Sequence, residues 1–249
     1  MKIRIINPNT TRSMTDKIGH IAQSIASPGT KIVATQPDSG PRSIESHFDE
    51  TVSAVGVLDE IIKGEHDCTD AYIIACFGDP ALLAARELTT APVLGIAEAA
   101  FHVASFISTK FSIVTTLGRT RIIAEELLKR YGFYDQCAKI RAAEIPVLTL
   151  EHEPDAALRL IIEECRRAKE EDQIGAIVLG CGGMADLTEH ISQEIQLPVI
   201  EGVSAAIKLA ESLIGLRVRT SKFGDLAFPN PKEFQGVFAH YSAGASMQT

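Results

Sequence analysis

The chain carries one pattern twice. Asp70-Ala71-Tyr72-Ile73-Ile74-Ala75-Cys76-Phe77-Gly78 is matched by Gly175-Ala176-Ile177-Val178-Leu179-Gly180-Cys181-Gly182-Gly183. Sixteen residues beyond Cys76 stands Pro92-Val93-Leu94-Gly95, and seventeen beyond Cys181 stands Pro198-Val199-Ile200-Glu201. Each leads into a small-residue segment, Ala97–Ala100 or Val203–Ala206, and Asn9-Thr10-Thr11-Arg12 has a counterpart in Gly118-Arg119-Thr120-Arg121. Such a repeat implies two half-chains of about 100 residues built alike. The expected division is residues 1–100 plus 207–249 for the first α/β domain and residues 101–206 for the second. No Pro/Gly/Ser-rich linker separates them, so the halves are expected to pack across a cleft.

Short β-branched runs alternate with segments of helical period. Expected strands are Ile3–Ile6, Lys31–Thr35, Ala71–Ala75, Pro92–Ile96, Phe111–Thr115, Arg141–Ile145, Ala176–Gly180 and Pro198–Glu201. Between them lie apolar stripes of helical spacing: Val52, Val55, Leu58, Ile61 and Ile62; Ile122, Ile123, Leu127 and Leu128; and a third opening at Pro154, suited to a first helical turn, through Leu158, Ile161, Ile162 and Cys165. Strands that are apolar throughout, alternating with helices, define an α/β fold: two pseudo-symmetric α/β domains with mainly parallel sheets and an active site in the cleft. The tail beyond Arg219, with Gly224, Pro229, Asn230 and Pro231, reads as irregular chain wrapping the surface.

Charge and cysteine content narrow the partners. The formal net charge is −8, with Lys and Arg scattered, which argues against nucleic acid or an anionic membrane surface. No apolar run approaches the ~20 residues of a membrane span, and no secretion signal is visible. Five cysteines, an odd number at no metal-ligand spacing, point to reduced thiols in the cytoplasm, with no metal.

Cys76 and Cys181 occupy the same place in each repeat, at the C-terminal end of a buried strand before a glycine-bearing turn, where open α/β sheets bind ligands. Free backbone N–H groups and a helix N-terminus there are expected to lower the thiol pKa. A lone strand cysteine is ordinarily a small buried hydrophobe; two at equivalent positions suggest a pair acting on one small molecule from opposite sides. Thiols titrate close enough to neutrality for proton transfer. Inverting a stereocentre with an acidic hydrogen needs this pairing, a base on one face and an acid on the other. The turns Phe77-Gly78-Asp79 and Gly182-Gly183-Met184 would hold the developing enolate oxygen.

The opening Ile6-Asn7-Pro8-Asn9-Thr10-Thr11 and the turns Ala75-Cys76-Phe77-Gly78-Asp79-Pro80 and Leu179-Gly180-Cys181-Gly182-Gly183-Met184 resemble the aspartate/glutamate/hydantoin racemase superfamily. Ser43-Ile44-Glu45-Ser46-His47-Phe48-Asp49-Glu50, Phe111–Thr116 and Thr220-Ser221-Lys222 extend the resemblance, over nearly the whole chain, to its hydantoin and allantoin racemase branch. The resemblance implies no cofactor, a homo-oligomer, Cys76 and Cys181 as the acid–base pair, and Asn9 as a ligand-positioning group. It also implies that Phe77-Gly78 and Gly182-Gly183 cradle the substrate oxygen. Amino-acid racemases of this fold carry Asn-Thr and Thr-His after their two cysteines; the replacements here disfavour a zwitterion and favour a flat neutral ring on which Phe77 packs. The expected substrate is a cyclic ureide inverted at C5: allantoin, in purine catabolism, or a 5-monosubstituted hydantoin.

Lesser candidates are Thr115 and Thr116 as hydrogen-bonding groups at a strand end, and Ser43 in a lid-like loop, Gly40-Pro41-Arg42-Ser43. His47 reads as structural or exposed, Asp79 as the cap of the helix that follows it, and Glu151-His152-Glu153 as a solvated turn. Gly180-Cys181-Gly182-Gly183 lacks the Lys and Ser/Thr of a phosphate loop. Competing readings are a maleate-isomerase-like or decarboxylase-like enzyme, or a non-catalytic two-lobed ligand-binding protein. Two retained cysteines weigh against a decarboxylase, and turns without carboxylate anchors weigh against a maleate isomerase.

Overall fold

A computed structural model describes residues 1–248. Its first sheet contains β1 (Lys2–Ile6), β2 (Lys31–Thr35), β3 (Ala71–Ile74) and β4 (Val93–Gly95), all parallel in the order β2-β1-β3-β4. The second contains β5 (Phe111–Thr115), β6 (Cys137–Ala142), β7 (Ala176–Leu179) and β8 (Val199–Glu201) in the order β6-β5-β7-β8, again all parallel. The second order is the first with four added to every label, so the repeat is a repeat of topology. β3 and β7 are buried at every residue because helices cover both faces, which is why they read as unbroken apolar runs.

The helices are α1 (Arg12–Ile25), α2 (His47–His66), α3 (Leu82–Leu88), α4 (Ile96–Ile107), α5 (Arg121–Tyr131), α6 (Thr149–His152), α7 (Pro154–Glu171), α8 (Thr188–Ile195) and α9 (Gly202–Gly215). α4 leaves the first sheet yet packs against β7 and β8, whereas α9 leaves the second sheet and packs against β3, β4 and α1. The two helices also pack on each other. This exchange builds one continuous core, in which Ile5, Ile73, Ala97, Phe101, Ile113, Val178 and Val203 belong to a single cluster.

Two expected elements shift. The strand expected at Arg141–Ile145 is Cys137–Ala142, an edge strand whose first residues, Cys137-Ala138-Lys139, are small or charged and partly to fully exposed, so its pattern is masked. The apolar residues after it continue as a loop tied to the end of β5, Ala143 N–H donating to Thr115 O and Ile145 N–H to Thr116 O, both at 3.0 Å. On α2 the buried face is Ser53, Gly56, Val57, Glu60, Ile61 and Gly64. A Cβ at Gly56 would lie 2.6 Å from Pro37 Cβ and one at Gly64 2.4 Å from the Tyr72 ring, so small residues let this helix sit close to the sheet. The more apolar Val55, Leu58 and Ile62 face Phe228, Phe234, Phe238 and Tyr241 of the C-terminal segment. That segment is held where Thr220 N–H donates to Thr90 O at 3.0 Å and Thr220 Oγ1 to Ala91 O at 2.8 Å. It ends in a 3₁₀ stretch, Gly236–Gln248, rather than in irregular chain.

Asp79 caps a helix other than the one expected. Its carboxylate accepts from Ala97 N–H at 3.1 Å and Glu98 N–H at 3.0 Å, at the start of α4, and Tyr131 Oη donates to it at 2.9 Å. A Cβ at Gly95 would lie 2.1 Å from Asp79 Cγ, so the capping carboxylate occupies the space a side chain would need. In the second half the matching position is Glu201, which caps α9 with its own carboxylate through Val203 and Ser204 N–H, both at 2.6 Å.

Glu211 anchors α9 to the first half. It accepts from Ser27 N–H, Ser27 Oγ and Thr30 Oγ1, each at 2.7 Å, and from Lys208 Nζ at 3.0 Å. Burial alone would raise its pKa, but these donors hold the carboxyl down at about 2. An unfolded glutamate titrates near 4.3, so the stabilisation is fully present above that pH and is lost as pH falls through about 2. Urea denaturation of wild type and Glu211→Gln between pH 5 and pH 2 is therefore expected to show a stability difference that shrinks steadily with acid. A pH-independent difference would contradict the ionic origin of this anchor.

Candidate active site

β3 and β7 end side by side at the interface of the halves, and each cysteine lies two residues beyond its strand. After Cys76 the chain turns through two left-handed residues, Asp79 (φ 46°) and Ala81 (φ 59°), before α3 begins. After Cys181 it enters a 3₁₀ helix at once, Gly182–Leu187. The two turns approach so closely that a Cβ at Gly182 would lie 2.6 Å from the Ala75 carbonyl oxygen. Only glycine permits that contact, and it brings Cys76 and Cys181 to one pocket.

The pocket gathers most of the residues singled out in the sequence. Asn9, Cys76, Phe77, Gly78, Thr115, Thr116, Cys181, Gly182 and Gly183 all line it. Ser43 does not: the loop residues on the wall are its neighbours Ile44 and Ser46. This loop is nonetheless fixed over the cleft. Thr10 N–H donates to Pro41 O at 2.9 Å, Thr11 Oγ1 to Arg42 O at 2.6 Å, and Val147 N–H of the second half to Glu45 Oε1 at 2.7 Å.

Each sulfur accepts a backbone N–H from the glycine two residues on, Gly78 for Cys76 and Gly183 for Cys181. Contrary to the lowered pKa expected from the turns, burial dominates and pushes both thiols up, Cys181 to about 11 and Cys76 higher. The surroundings differ. After burial, the carboxyls of Glu50 and Asp79 and the second thiol raise Cys76 further, against the Gly78 N–H. At Cys181, Glu45 and Glu151 act in the same sense but Lys17 opposes them. Lys17 Nζ is 2.9 Å from Glu151 Oε1 and 3.6 Å from Asp186 Oδ2. Glu151 is thus part of a half-buried ion pair between α1 and α6 rather than of a solvated turn; burial would raise its pKa, and Ser13 and Lys17 hold it down.

The other candidates have definite partners. Asn9 Oδ1 accepts from Asn7 Nδ2 and Thr11 N–H, both at 2.9 Å, while its Nδ2 has only the Met14 sulfur, at 3.2 Å, leaving donor capacity toward the pocket. Thr115 Oγ1 donates to Gly180 O at 3.1 Å and lies 3.0 Å from Thr120 Oγ1. The Phe77 ring meets Phe101 edge-on at 5.6 Å, so it is core as well as pocket wall. His47 is exposed at the start of α2, and Cys68, Cys137 and Cys165 lie away from the pocket.

Glu50, Met14, Thr120 and Val147 also line the pocket, and the sequence reading did not select them as site residues. Thr120 stands in the repeated Gly118–Arg121 segment, and Glu50 closes the Ser43–Glu50 segment; Val147 carries no signal beyond its apolar character. No Arg or Lys is among the described residues that line the pocket. Among the described residues, no group of three His, Cys, Asp or Glu side chains is placed to hold a metal ion, and no helix is long and apolar enough to cross a membrane.

Comparison with known proteins fits this geometry. The sequence model of the Asp/Glu/hydantoin racemase family matches residues 3–210. A hydantoin racemase of Pseudomonas sp. (strain NS671) is 45% identical over 97% of this chain and 97% of its own. An allantoin racemase structure from Klebsiella pneumoniae superposes with a TM-score of 0.96 at 53% identity, covering 98% of this chain and 99% of its own. That of an allantoin racemase from Pseudomonas fluorescens gives 0.91 at 42% identity over 95% and 100%. Fold, pocket and relatives define a racemase, an isomerase. The chain belongs to the Asp/Glu/hydantoin racemase family.

The unequal surroundings of the two thiols predict unequal reactivity. With iodoacetamide at pH 8.5 and peptide mass mapping, Cys181 is expected to be alkylated several-fold faster than Cys76 in the free enzyme, since the thiolate is the nucleophile. Equal rates, or a faster Cys76, would contradict the electrostatic difference.

Proposed function

We propose that the enzyme inverts C5 of a hydantoin ring bearing one substituent, allantoin or a 5-monosubstituted hydantoin, with Cys76 and Cys181 as the two acid–base groups. The observation that carries this reading is the pairing itself: two thiols at equivalent strand ends, each accepting a glycine N–H, opening on one pocket without a basic side chain. A dicarboxylate or an amino-acid carboxylate would find no cation there and would meet Glu50. A neutral ring has nothing to neutralise, and relatives named for hydantoin and for allantoin both act on such rings.

In this mechanism the reactive state holds one proton between the two thiols, because a thiolate at Cys181 raises the pKa of Cys76. Lys17 favours the charge on Cys181, so Cys181 starts as the base and Cys76 as the acid for one enantiomer; the reverse reaction exchanges the roles. A thiolate of raised pKa is scarce but strongly basic, which suits a weakly acidic carbon. With Gly78 and Gly183 N–H given to the sulfurs, the N–H groups of Phe77 and Gly182 remain for the enolate oxygen; neither donates to a protein acceptor among the described residues. Asn9 Nδ2 is placed to donate to a ring carbonyl.

Circular dichroism of (R)- and (S)-allantoin and of (R)- and (S)-5-methylhydantoin tests this directly. Wild type is expected to abolish the signal of at least one pair, and Cys76→Ser and Cys181→Ser each to lose about 10²–10⁴ in rate. Each variant should still exchange the C5 hydrogen of one enantiomer in D₂O without inverting it. Inversion at full rate by either variant would exclude the two-thiol mechanism, and no inversion of any ring by wild type would exclude the substrate.

A further inference from the structure

Among the described residues lining the pocket, Glu50 is the one ionisable group besides the two thiols, and it has no part in the mechanism above. Glu50, in the first turns of α2, lines the same pocket as Cys76, and also the polar cleft beyond it toward Asp79, Glu126 and Arg130. Its carboxylate lies directly over the Cys76 turn: a Cβ on Gly78 would be 1.8 Å from Glu50 Oε1. Among the described residues no donor reaches hydrogen-bond distance of that carboxylate. The basic side chain in contact with it is His47, whose Nδ1 is 3.8 Å from Oε2 and whose side chain is 65% exposed.

The charges around it are mostly of its own sign. Asp49 on α2, Asp79 on the turn and Glu126 on α5 face it, and only Arg130 on α5 offsets them. Burial first, and these carboxyls next, raise Glu50 to about 7, so it is an acceptor-only carboxylate under mildly alkaline conditions. A carboxylate that accepts no hydrogen bond from any described residue, set at the edge of a pocket of small-molecule size, is completed by a neutral ligand that carries an N–H. A ureide ring has such a group beside its reacting carbon, and the Cys76 turn, over which Glu50 lies, is where that carbon is handled.

We infer that Glu50 accepts a hydrogen bond from the ring N–H adjacent to C5, and is the residue by which the site prefers a ureide ring to an isosteric ring without that N–H. The inference rests on the hydantoin reading and adds to it a specificity-determining contact. It also accounts for Gly78, whose bare Cα leaves room for the carboxylate beside the catalytic turn.

Succinimide is the matched probe, since it is hydantoin with that N–H replaced by CH₂ and, like hydantoin, is largely neutral at pH 8. Dissociation constants of hydantoin and succinimide, measured at pH 8 by calorimetry or ligand-observed NMR on wild type, Glu50→Gln and Glu50→Met, isolate the contact. Wild type is expected to prefer hydantoin by about 10- to 100-fold, the range of a charge-assisted hydrogen bond. The preference should narrow in Glu50→Gln and fall within about threefold in Glu50→Met, with succinimide affinity unchanged. A preference that survives Glu50→Met, or a parallel loss for both ligands, would overturn the inference, the second because a packing role weakens both alike. If wild type racemises 5-methylhydantoin while the preference survives in Glu50→Met, this contact alone is wrong. If wild type neither binds hydantoin nor racemises its derivatives, the substrate reading falls, and this contact with it.

Discussion

The close approach of two backbones at the centre of the molecule governs the rest. Gly182 lies against the Ala75 carbonyl, and Gly202 against Ile96, where a Cβ would fall 2.2 Å from the Ile96 oxygen. With those two positions bare, the ends of β3 and β7 and the starts of α4 and α9 pack directly across the pseudo-symmetry axis. The thiols that follow the strands are then delivered to one pocket by rigid elements, not by mobile loops. A methyl group at either position would have to push the halves apart, and a proton relay is intolerant of such displacement.

Symmetry supplies the arrangement, and departures from it supply the chemistry. A symmetric pair of thiols would hold a shared proton without preference. Here the first thiol looks toward Glu50 and Asp79, whereas the second has Lys17 within electrostatic reach. The caps show the same divergence by another route. Glu201 caps α9 locally, but its repeat partner is Gly95, and the α4 cap is supplied by Asp79, sixteen residues earlier in the chain. That places a buried carboxyl, raised to about 7 chiefly by burial, three residues from Cys76, with no equivalent beside Cys181.

Much of this was legible in the sequence. Seven of the eight strands lie where the sequence indicated, six of them because buried parallel strands need continuous hydrophobic residues and announce themselves, and the edge strand β2 through its Ile32-Val33 pair. The two cysteines stood out because the same local pattern surrounded both. β6 starts earlier than the sequence indicates because its opening Cys137-Ala138-Lys139 is exposed to water and carries no β-branched residue. The buried face of α2 departs from its apolar stripe because its closest packing uses Ser53, Gly56 and Gly64, while its larger apolar residues are covered by chain some 170 residues later. Glu50, Val147 and the Glu45 bridge gave little signal, since each acquires its role from a partner on a distant element.

The sequence by itself determined the α/β class, the twofold repeat, the strand-end placement of Cys76 and Cys181, and turns too poor in side chains to grip a charged carboxylate. These follow from periodicity and residue type, which are local properties. Only the tertiary structure decided that the thiols are electrostatically unequal, that burial outweighs the backbone N–H groups and raises both, that Asp79 serves a distant helix, and that a carboxylate with no hydrogen-bond donor among the described residues overlooks the Cys76 turn. Those outcomes depend on distances of a few ångströms between groups tens of residues apart, and on the low polarity of the space between them. Neither exists until the chain has folded.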